Sequence, residues 1–299
     1  MGDLHGIQGV RTDQYDLDSL AKRASAYQAS SRLSYTHIAM HEQHPVFEAP
    51  SDPDIFIWRY MDLAKFLSML QDEALHFARA DKMSDEFEGS TSKPTLDQLR
   101  SALRQALGHP ELSDKEFDDR FKVFNRPLME SFRSYTYLSC WHMNEHESAA
   151  MWAIYQGGEP QGIAVRSTYR RLSESVTDQR TVFIGKATYI DFSTEIVPEG
   201  NIFYRYLRKR KSFEHEREIR ALYQIFPLKP DEHDPNLARE VPVGPAVIPI
   251  SVDLDRLIES VYVSPKAPEW FANVIRNVLA RYGRTLQLHH SSLDEGPIY

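Results

Sequence analysis

The stretch Ser212-Phe213-Glu214-His215-Glu216-Arg217-Glu218-Ile219-Arg220 decides how this chain is interpreted. It follows a basic run, Arg208-Lys209-Arg210-Lys211, and opens a segment in which polar and apolar residues alternate. Side chains two residues apart share one face of a strand, so Glu216, Glu218 and Arg220 are expected to line one face, with the two carboxylates about 7 Å apart. Beside cations, one such carboxylate ionises while the pKa of the other is shifted. The segment therefore predicts either a catalytic carboxylate pair or an edge strand with alternating structural charges.

The composition of the chain limits the classes of protein to which it can belong. The chain has 299 residues, of which 41% are hydrophobic and 26% charged, as is usual for a globular protein with a buried core. Its net charge of −8 argues against bulk attraction to nucleic acid or to an anionic membrane, although a local basic patch can still act. The single cysteine, Cys140, excludes an intramolecular disulfide and a cysteine-based zinc site. With no secretory signal and no apolar run approaching the roughly 20 residues that cross a bilayer, we expect a cytoplasmic protein without a membrane partner.

The order of the predicted elements favours an α+β fold. Residues 55–60 and 74–78 are predicted as strands on either side of a helix that Asp62 caps. Many strands are broken by helices without strict alternation, which predicts a central, mainly antiparallel or mixed sheet flanked by helices. Further strands are predicted at 135–141, 162–165, 181–192, 246–252, 260–263 and 285–289, and further helices at 16–35, 148–155 and 268–282.

The predicted organisation is one main domain with an extension and an insertion. Residues 1–54 are expected to form an N-terminal helical segment and a linker, because a Pro- and Asp-rich stretch follows the first helical pattern. Residues 55–293 are expected to form a single α+β domain. Within it, a wholly helical block at about 94–134 lies between predicted strands, with Ser113 and Glu116 spaced as a capping box.

Three blocks of the sequence resemble the bacterial domain of unknown function 2971 family. They are ALHFARADKMSDEFEG at 74–89, LSCWHMNEHESAAMWAIYQGGEPQGIAV at 138–165 and RKRKSFEHEREIRALY at 208–223. Two departures stand out, because the family's Asn-Asp pair is Ser84-Asp85 here and its Phe-Ser is replaced by Ser139-Cys140-Trp141. A family of unknown function implies little biochemistry by itself.

The chain is also similar to ADP-ribosyltransferases, which build a split antiparallel sheet with three signature strands. In that class the first strand carries Arg or His and precedes a helix, the second carries Ser or Tyr, and the third carries the catalytic Glu, often as Glu-x-Glu. Arg59, Ser139 and the pair Glu216/Glu218 occur here in that order, each in a predicted strand. The resemblance implies a split, ADP-ribosyltransferase-like sheet, with NAD as substrate in the cleft between its halves. What the class commonly does implies a toxin or a phage-defence effector, acting on a protein or nucleic acid and held in check by an antitoxin or other regulator.

The resemblance also assigns a role to each candidate site residue. Arg59, next to Tyr60, would clamp the pyrophosphate bidentately. Ser139 would hold the nicotinamide ribose or the neighbouring glutamate. Glu218, or else Glu216, would bond the ribose 2′-hydroxyl and stabilise an oxocarbenium-like transition state as nicotinamide leaves. The cofactor-binding candidates are Arg59, Tyr60, Trp141 and Tyr155, of which Trp141 and Tyr155 would stack on nicotinamide.

Each of these assignments has a structural alternative. Arg59 can be an edge-strand arginine that pairs with Asp62, and the choice between the two glutamates depends on strand register, because a slip of one residue turns every side chain to the other face. Cys140 is predicted as a buried structural thiol rather than a nucleophile. His142 and His146 have metal-ligand spacing, but a predicted turn at Asn144 separates them, so a surface pair is expected and no metal is predicted.

The charged segments support two competing hypotheses. Arg208, Lys209, Arg210 and Lys211 have aromatic residues on both sides, a composition that binds nucleic acid backbone or a target and stacks bases. A non-catalytic nucleic-acid-binding regulatory module would use this patch. An acidic loop, together with the two glutamates, would instead serve a metal-dependent nuclease or phosphodiesterase. That loop contains Asp81, Asp85, Glu86 and Glu88.

Overall fold

The computed structural model describes residues 44–107, 113–156, 161–226, 228–230, 238–294 and 296. The helix predicted at 16–35 lies outside these residues, so the predicted N-terminal segment stays a prediction. The strands are β1 (Phe56–Met61), β2 (Ala74–Arg79), β3 (Thr136–Met143), β4 (Ile163–Thr168), β5 (Phe183–Lys186), β6 (Thr188–Ile190), β7 (Arg208–Arg210), β8 (Glu218–Gln224), β9 (Leu228–Pro230), β10 (Ala238–Glu240), β11 (Val247–Ser251), β12 (Ser260–Val263) and β13 (Gln287–His290). The helices are α1 (Leu63–Asp72), α2 (Lys93–Leu107), α3 (Asp114–Ser134), α4 (Ala149–Gln156), α5 (Tyr169–Ser175), α6 (Tyr204–Leu207), α7 (Leu254–Leu257) and α8 (Glu269–Arg281).

The fold is α+β, as predicted, with a central and mainly antiparallel sheet flanked by helices. Within the described ranges nine strands form this sheet, in the order β11-β2-β3-β1-β4-β12-β13, with β8 on β3 and β5 on β8. The pair β12–β13 is its parallel exception. Strands β6 and β7 form a short parallel ladder. Strands β9 and β10 pair antiparallel and belong to a separate compact unit of the chain.

The sheet splits at β3. Strand β8 pairs with β3 along one edge, from Thr136 opposite Gln224 to His142 opposite Glu218. The other edge is shared, because β2 pairs at Tyr137 and Leu138 while β1 pairs at His142 and Met143. Residues 139–141 therefore lie where β1 and β2 diverge.

Helix α1 connects the two diverging strands. Asp62 caps it, as predicted, by accepting a hydrogen bond from the backbone N–H of Lys65 at 2.8 Å. Phe66, Met69 and Leu70 on its apolar face are buried. Strand, helix and strand together form one wall of the split.

The largest hydrophobic core cluster spans the sheet and the helices that cover it. Its members include Ile57, Phe66, Trp141, Ile219 and Phe271, all 1% exposed or less. A second cluster, around Phe47, Phe203 and Leu222, lies under the segment that precedes β1. A third joins β1 to α4 and includes Trp58, Tyr60, Met151 and Trp152. The helical insertion forms α2 and α3, and Ser113 and Glu116 make the predicted capping box.

Some element boundaries differ from the predicted ones. Residues 181–192 form two strands, β5 and β6, rather than one. Strand β3 continues through His142 to Met143, because its last residues pair with β1, which a single sequence does not show. Helices α5, α6 and α7 were not predicted, since runs of seven residues or fewer carry little helical periodicity. No helix in the described part of the chain combines the length and apolar character needed to cross a membrane.

Gly185 provides a test of this packing. A Cβ at this position of β5 would lie 2.8–2.9 Å from backbone atoms of Phe47, and the neighbouring Lys186 N–H donates to the Glu48 carbonyl at 2.8 Å. We expect Gly185→Ala to lower the free energy of unfolding by about 1–3 kcal/mol, the usual cost of overpacking. Urea denaturation measures it. Gly200→Ala is the matched control, because no atom lies within 4 Å of the added Cβ there. Equal stability of the two variants would contradict the packing described.

Candidate active site at the split of the sheet

A cavity of about 500 Å³ lies at the split of the sheet. Strands β1, β2 and β3 and helices α1 and α4 contribute to its wall, and so does the segment that leads into β8. The predicted site residues that line it are Arg59, Tyr60, Trp141, Tyr155, Glu216 and Glu218. Ser139 is 1% exposed and accepts a short hydrogen bond from the Arg59 guanidinium. The structure thus brings together residues of the three strands that the sequence singled out.

The two glutamates reach this cavity by different backbone routes. Glu218 is the first residue of β8, whereas Glu216 ends a 3₁₀ segment over Lys211–Glu216. Arg217 between them has φ 41°, in the left-handed region. The prediction that Glu216 belongs to the strand is therefore wrong, because this turn interrupts the extended backbone. The alternative of an edge strand is also wrong, since β8 lies between β3 and β5.

An alternating chain of buried charges leads to the cavity. The Glu88 carboxylate accepts from both terminal nitrogens of Arg220, at 2.6 and 2.9 Å. Arg220 Nε donates to Oε2 of Glu218 at 2.7 Å, and Lys209 Nζ lies 3.2 Å from Oε1 of the same carboxylate. Lys209 also makes a short contact with Glu216. We call Glu88, Arg220, Glu218, Lys209 and Glu216 the charge chain.

The charge chain gives Glu216 and Glu218 different pKa values. Burial raises the pKa of Glu218, but the charges of Arg220 and Lys209 outweigh it and bring this pKa down to about 2. Burial and the negative charge of Glu218 raise the pKa of Glu216. The Glu218 side chain is 6% exposed and that of Glu216 17%. Glu218 is therefore a fixed anion, and Glu216 is the carboxyl that can exchange a proton.

Arg59 supplies a cation to the same cavity. Its guanidinium donates to Ser139 Oγ and, at 3.2 Å, to the His76 carbonyl, and it lies 5.8 Å from the centre of the Trp141 ring. Among the described residues no carboxylate forms an ion pair with Arg59. The alternative in which Asp62 pairs with it is wrong, because Asp62 pairs with Lys65 at 2.8 Å. An arginine held by neutral partners can bind an anionic ligand.

Aromatic side chains form another part of the wall. The rings of Tyr60 and Tyr155 are stacked with centroids 6.4 Å apart, and Trp152 packs edge-on against Tyr60 at 4.9 Å. Tyr60 is buried and its hydroxyl accepts from the Ser148 backbone N–H at 2.8 Å. Tyr155 is 47% exposed, so it offers a free ring face to a planar ligand.

Two buried polar atoms in the cavity wall lack a partner. His142 Nδ1 is 2.7 Å from the Glu216 carbonyl, so Nδ1 carries the proton and Nε2 is left as an unpaired acceptor. Burial lowers the pKa of His142, which keeps it neutral. The Trp141 indole N–H is a buried donor without a partner. Unpaired buried groups are costly in a folded protein, and a bound ligand is one way to satisfy them.

The basic run is not a continuous exposed patch. Lys209 is 7% exposed and belongs to the charge chain. The Arg210 guanidinium pairs with Asp85 at 2.7 Å and lies over the rings of Phe87 and Phe213. Lys211 is exposed, and Arg208, which is partly exposed, bonds to Thr188. Because strand β7 turns alternate side chains inward, Lys209 is withdrawn from the predicted basic patch, and binding of nucleic acid or of a target by the other three residues stays a prediction.

The acidic loop is likewise neutralised by arginines. Asp81 pairs with Arg79 at 2.6 Å, Asp85 with Arg210 and Glu88 with Arg220. Over the described residues, no group of three or more metal-ligating side chains converges on one point. The arrangement therefore does not favour the metal-dependent nuclease. Cys140 is half-buried, and burial raises the pKa of its thiol, as expected for a structural cysteine.

Sequence reasoning missed several members of the site. Lys209 and Arg210 stand side by side in a basic run, and nothing in that run shows which of them is buried. Glu88 was assigned only to a metal cluster, and Arg220 only to the strand face. Glu88 and Arg220 carry opposite charges, but they are 132 positions apart, and the sequence between them gives no sign of the contact. His142 was treated only as one half of a histidine pair.

The chain has two structural neighbours of low similarity and no match among protein families or curated proteins. No protein-family model and no curated protein matches the chain, so the resemblance to the domain of unknown function 2971 family stays a prediction. Among solved structures it is similar to Thermus sp. 2.9 DarT in complex with carba-NAD+, with a TM-score of 0.35 and 9% identity over 82% of this chain and 98% of that one. For DarT in complex with NAD+ the TM-score is 0.36 and the identity 10%, over 83% and 100%. Scores this low support neither the fold nor a function of this chain.

Removing Arg220 tests the charge chain. Arg220→Gln leaves Glu88 buried without its cation and Glu218 with Lys209 alone, so we expect a loss of about 3–5 kcal/mol in unfolding free energy at neutral pH. Because the pKa of Glu88 then rises further above its unfolded value, the loss should shrink as the pH falls. Denaturant unfolding at several pH values measures this. Arg170→Gln is the control, since the pair Arg170–Asp54 is exposed to solvent and should contribute little to stability. A pH-independent loss would contradict the account.

Proposed function

We propose that this chain is an NAD-dependent ADP-ribosyltransferase whose active site is the cavity at the split of the sheet. The observation that carries the proposal is that Arg59 and Glu218, from two different strands, line one cavity, while Ser139 on a third strand accepts a hydrogen bond from the Arg59 guanidinium. The cavity offers an arginine with neutral partners, a fixed carboxylate and an exposed aromatic face. These match the pyrophosphate, the ribose next to a cationic ring, and the planar nicotinamide of NAD.

Glu218 is suited to the step in which nicotinamide leaves. Breaking the bond between ribose C1′ and the ring nitrogen returns the electron pair to nicotinamide, which departs neutral, and positive charge builds up on the ribose. A carboxylate that is ionised and already oriented stabilises this charge without reorganising. Arg220 and Lys209 each hold one oxygen of Glu218, so its position is fixed before the substrate arrives.

Glu216 is suited to the acceptor. The acceptor's oxygen or nitrogen attacks C1′ as its proton is lost, and a carboxylate with a raised pKa is a better base for that proton than an ordinary one. Glu216 is the more exposed of the two carboxylates, so it can contact a group that enters from solvent. We propose a protein or a nucleic acid as the acceptor, and the assay below includes both.

Arg59 and Tyr155 are proposed to hold NAD. The Arg59 fork keeps donors beyond those used by Ser139 and His76, and these would bond the pyrophosphate oxygens. Tyr155 would stack on nicotinamide, supported from behind by Tyr60. The carboxamide or a ribose hydroxyl would then supply a donor to His142 Nε2.

NAD turnover tests the proposal. We expect the purified chain to release nicotinamide from NAD and to transfer label from adenine-labelled NAD to an acceptor in cell lysate, RNA or DNA. Glu218→Gln should lower the rate about 10²–10³-fold, as expected when a transition-state charge loses its partner. Glu214→Gln is the matched control, because Glu214 is exposed in the same segment and lies outside the cavity wall.

A second pair of variants separates binding from folding. Arg59→Ala and Tyr155→Ala should each raise the KM or Kd for NAD about 10-fold, the effect of roughly 1.4 kcal/mol of lost binding energy. Tyr155 is half exposed, so its replacement should leave the unfolding transition unchanged. Calorimetric titration with NAD and thermal denaturation measure both. Absence of NAD binding and of nicotinamide release by the wild-type chain, with every acceptor, would refute the function.

A further inference from the structure

We infer that Glu88 is a positioning residue of this cavity, which acts through Arg220 to fix the Glu218 carboxylate in place. The catalytic side of this inference rests on the function proposed above. The structural part of the inference does not, because it concerns only how Glu88 fixes the position of the Glu218 carboxylate.

The geometry of Arg220 links the two glutamates. A guanidinium is planar and presents its five N–H donors in a fixed fork. Glu88 accepts from both terminal nitrogens, while Nε and one terminal nitrogen face Glu218 at 2.7 and 2.6 Å. Arg220 is fully buried and Glu88 is 3% exposed, so neither has room to re-orient. Glu88 therefore fixes the plane of the guanidinium, and that plane determines where the Glu218 carboxylate is bound.

The loop before α2 holds Glu88 in a fixed position. The backbone N–H of Glu88 donates to the Asp85 carbonyl at 3.0 Å, and the Asp85 carboxylate accepts a hydrogen bond from Arg210. The next residue, Gly89, has φ 71°, and a Cβ there would collide with the Tyr206 ring. A glycine is required at this point on both counts. The loop therefore does more than connect β2 to α2, because it delivers one carboxylate to the interior of the sheet.

Charge counting predicts what Glu88 does at the far end. The charge chain holds three carboxyls and two cations, so with every group ionised it carries one net negative charge. Burial and the charge of Glu218 raise the pKa of both Glu88 and Glu216. Glu88 is bonded through both oxygens to Arg220 and is 3% exposed, so Glu216, whose side chain is 17% exposed, is the carboxyl that exchanges a proton with solvent. Neutralising Glu88 would remove the net charge and lower the pKa of Glu216. The variant leaves in place the other titratable or charged groups around Glu216: Lys209, Glu218, His215, Arg217, His142, Tyr155 and Tyr189.

Glu88→Gln is the variant that tests this. It keeps the shape and one acceptor but removes the charge and the second strong acceptor of Arg220. We expect kcat for nicotinamide release to fall about 10- to 100-fold, the usual cost of a misplaced catalytic group, with KM for NAD within about twofold of wild type. We also expect the acid limb of the kcat profile to move to lower pH. Glu86→Gln, two residues away and exposed, is the matched control and should change none of these.

A readout without substrate separates this inference from the proposed function. Side-chain carboxyl NMR of the full chain labelled with 13C-glutamate, assigned with Glu216→Gln and Glu218→Gln, follows each titration. We expect Glu216 to titrate at lower pH in Glu88→Gln, whether or not the chain turns over NAD. If Glu88 only stabilises the fold, the variant loses stability, but the Glu216 titration and the value of kcat/KM stay as in wild type. That result would overturn the inference.

The wild-type chain supplies a test that does not depend on a variant at Glu88. In 15N-arginine spectra, the side-chain signals of Arg220 should shift as Glu216 titrates, and this response should vanish in Glu216→Gln. Arg170, exposed and distant along the chain, should show no such response. Arg220 signals that stay constant through the Glu216 titration would refute the coupling, even if Glu88→Gln fails to fold.

Discussion

The guanidinium of Arg220, buried between Glu88 and Glu218, is the interaction on which the site depends. Moving an arginine and two glutamates out of water costs several kcal/mol per ion, and only close contacts with satisfied hydrogen bonds offset it. The contacts of 2.6–2.9 Å meet this condition, and the Tyr206 carbonyl accepts a further bond. A loop and a strand far apart in the chain are thereby held together. That contact fixes the position of the Glu218 carboxylate.

The shared edge of β3 is the second constraint. Because β8 takes one edge for itself, β1 and β2 have to divide the other, and their divergence opens the cavity beside residues 139–141. Beside this gap Arg59, on β1, donates a hydrogen bond to Ser139, on β3. The cavity is a product of strand pairing, and its chemistry comes from the residues that border the gap.

The two carboxylates of the cavity have different roles because their surroundings differ. Glu218 is held by two cations and remains ionised, whereas Glu216 shares only one of them and is repelled by Glu218. The left-handed turn at Arg217 makes this possible, since it brings two residues of one Glu-x-Glu sequence to Lys209 from different directions. Separating pKa values within a carboxylate pair is a common way to obtain one fixed charge and one proton carrier.

The sequence by itself determined the α+β class, most strands, the capped helix α1, the helical insertion, and the candidates Arg59, Ser139, Glu216 and Glu218, because periodicity, capping and residue type are local properties. Short elements such as α6 and the extension of β3 through His142 were not predicted from the sequence. Only the tertiary structure decided which charges are buried. Lys209 and Lys211 are equivalent in the sequence, yet one lies between two glutamates and the other in solvent. Burial and pairing depend on contacts between residues far apart in the chain, and these contacts, rather than the residues themselves, set the pKa values of the site.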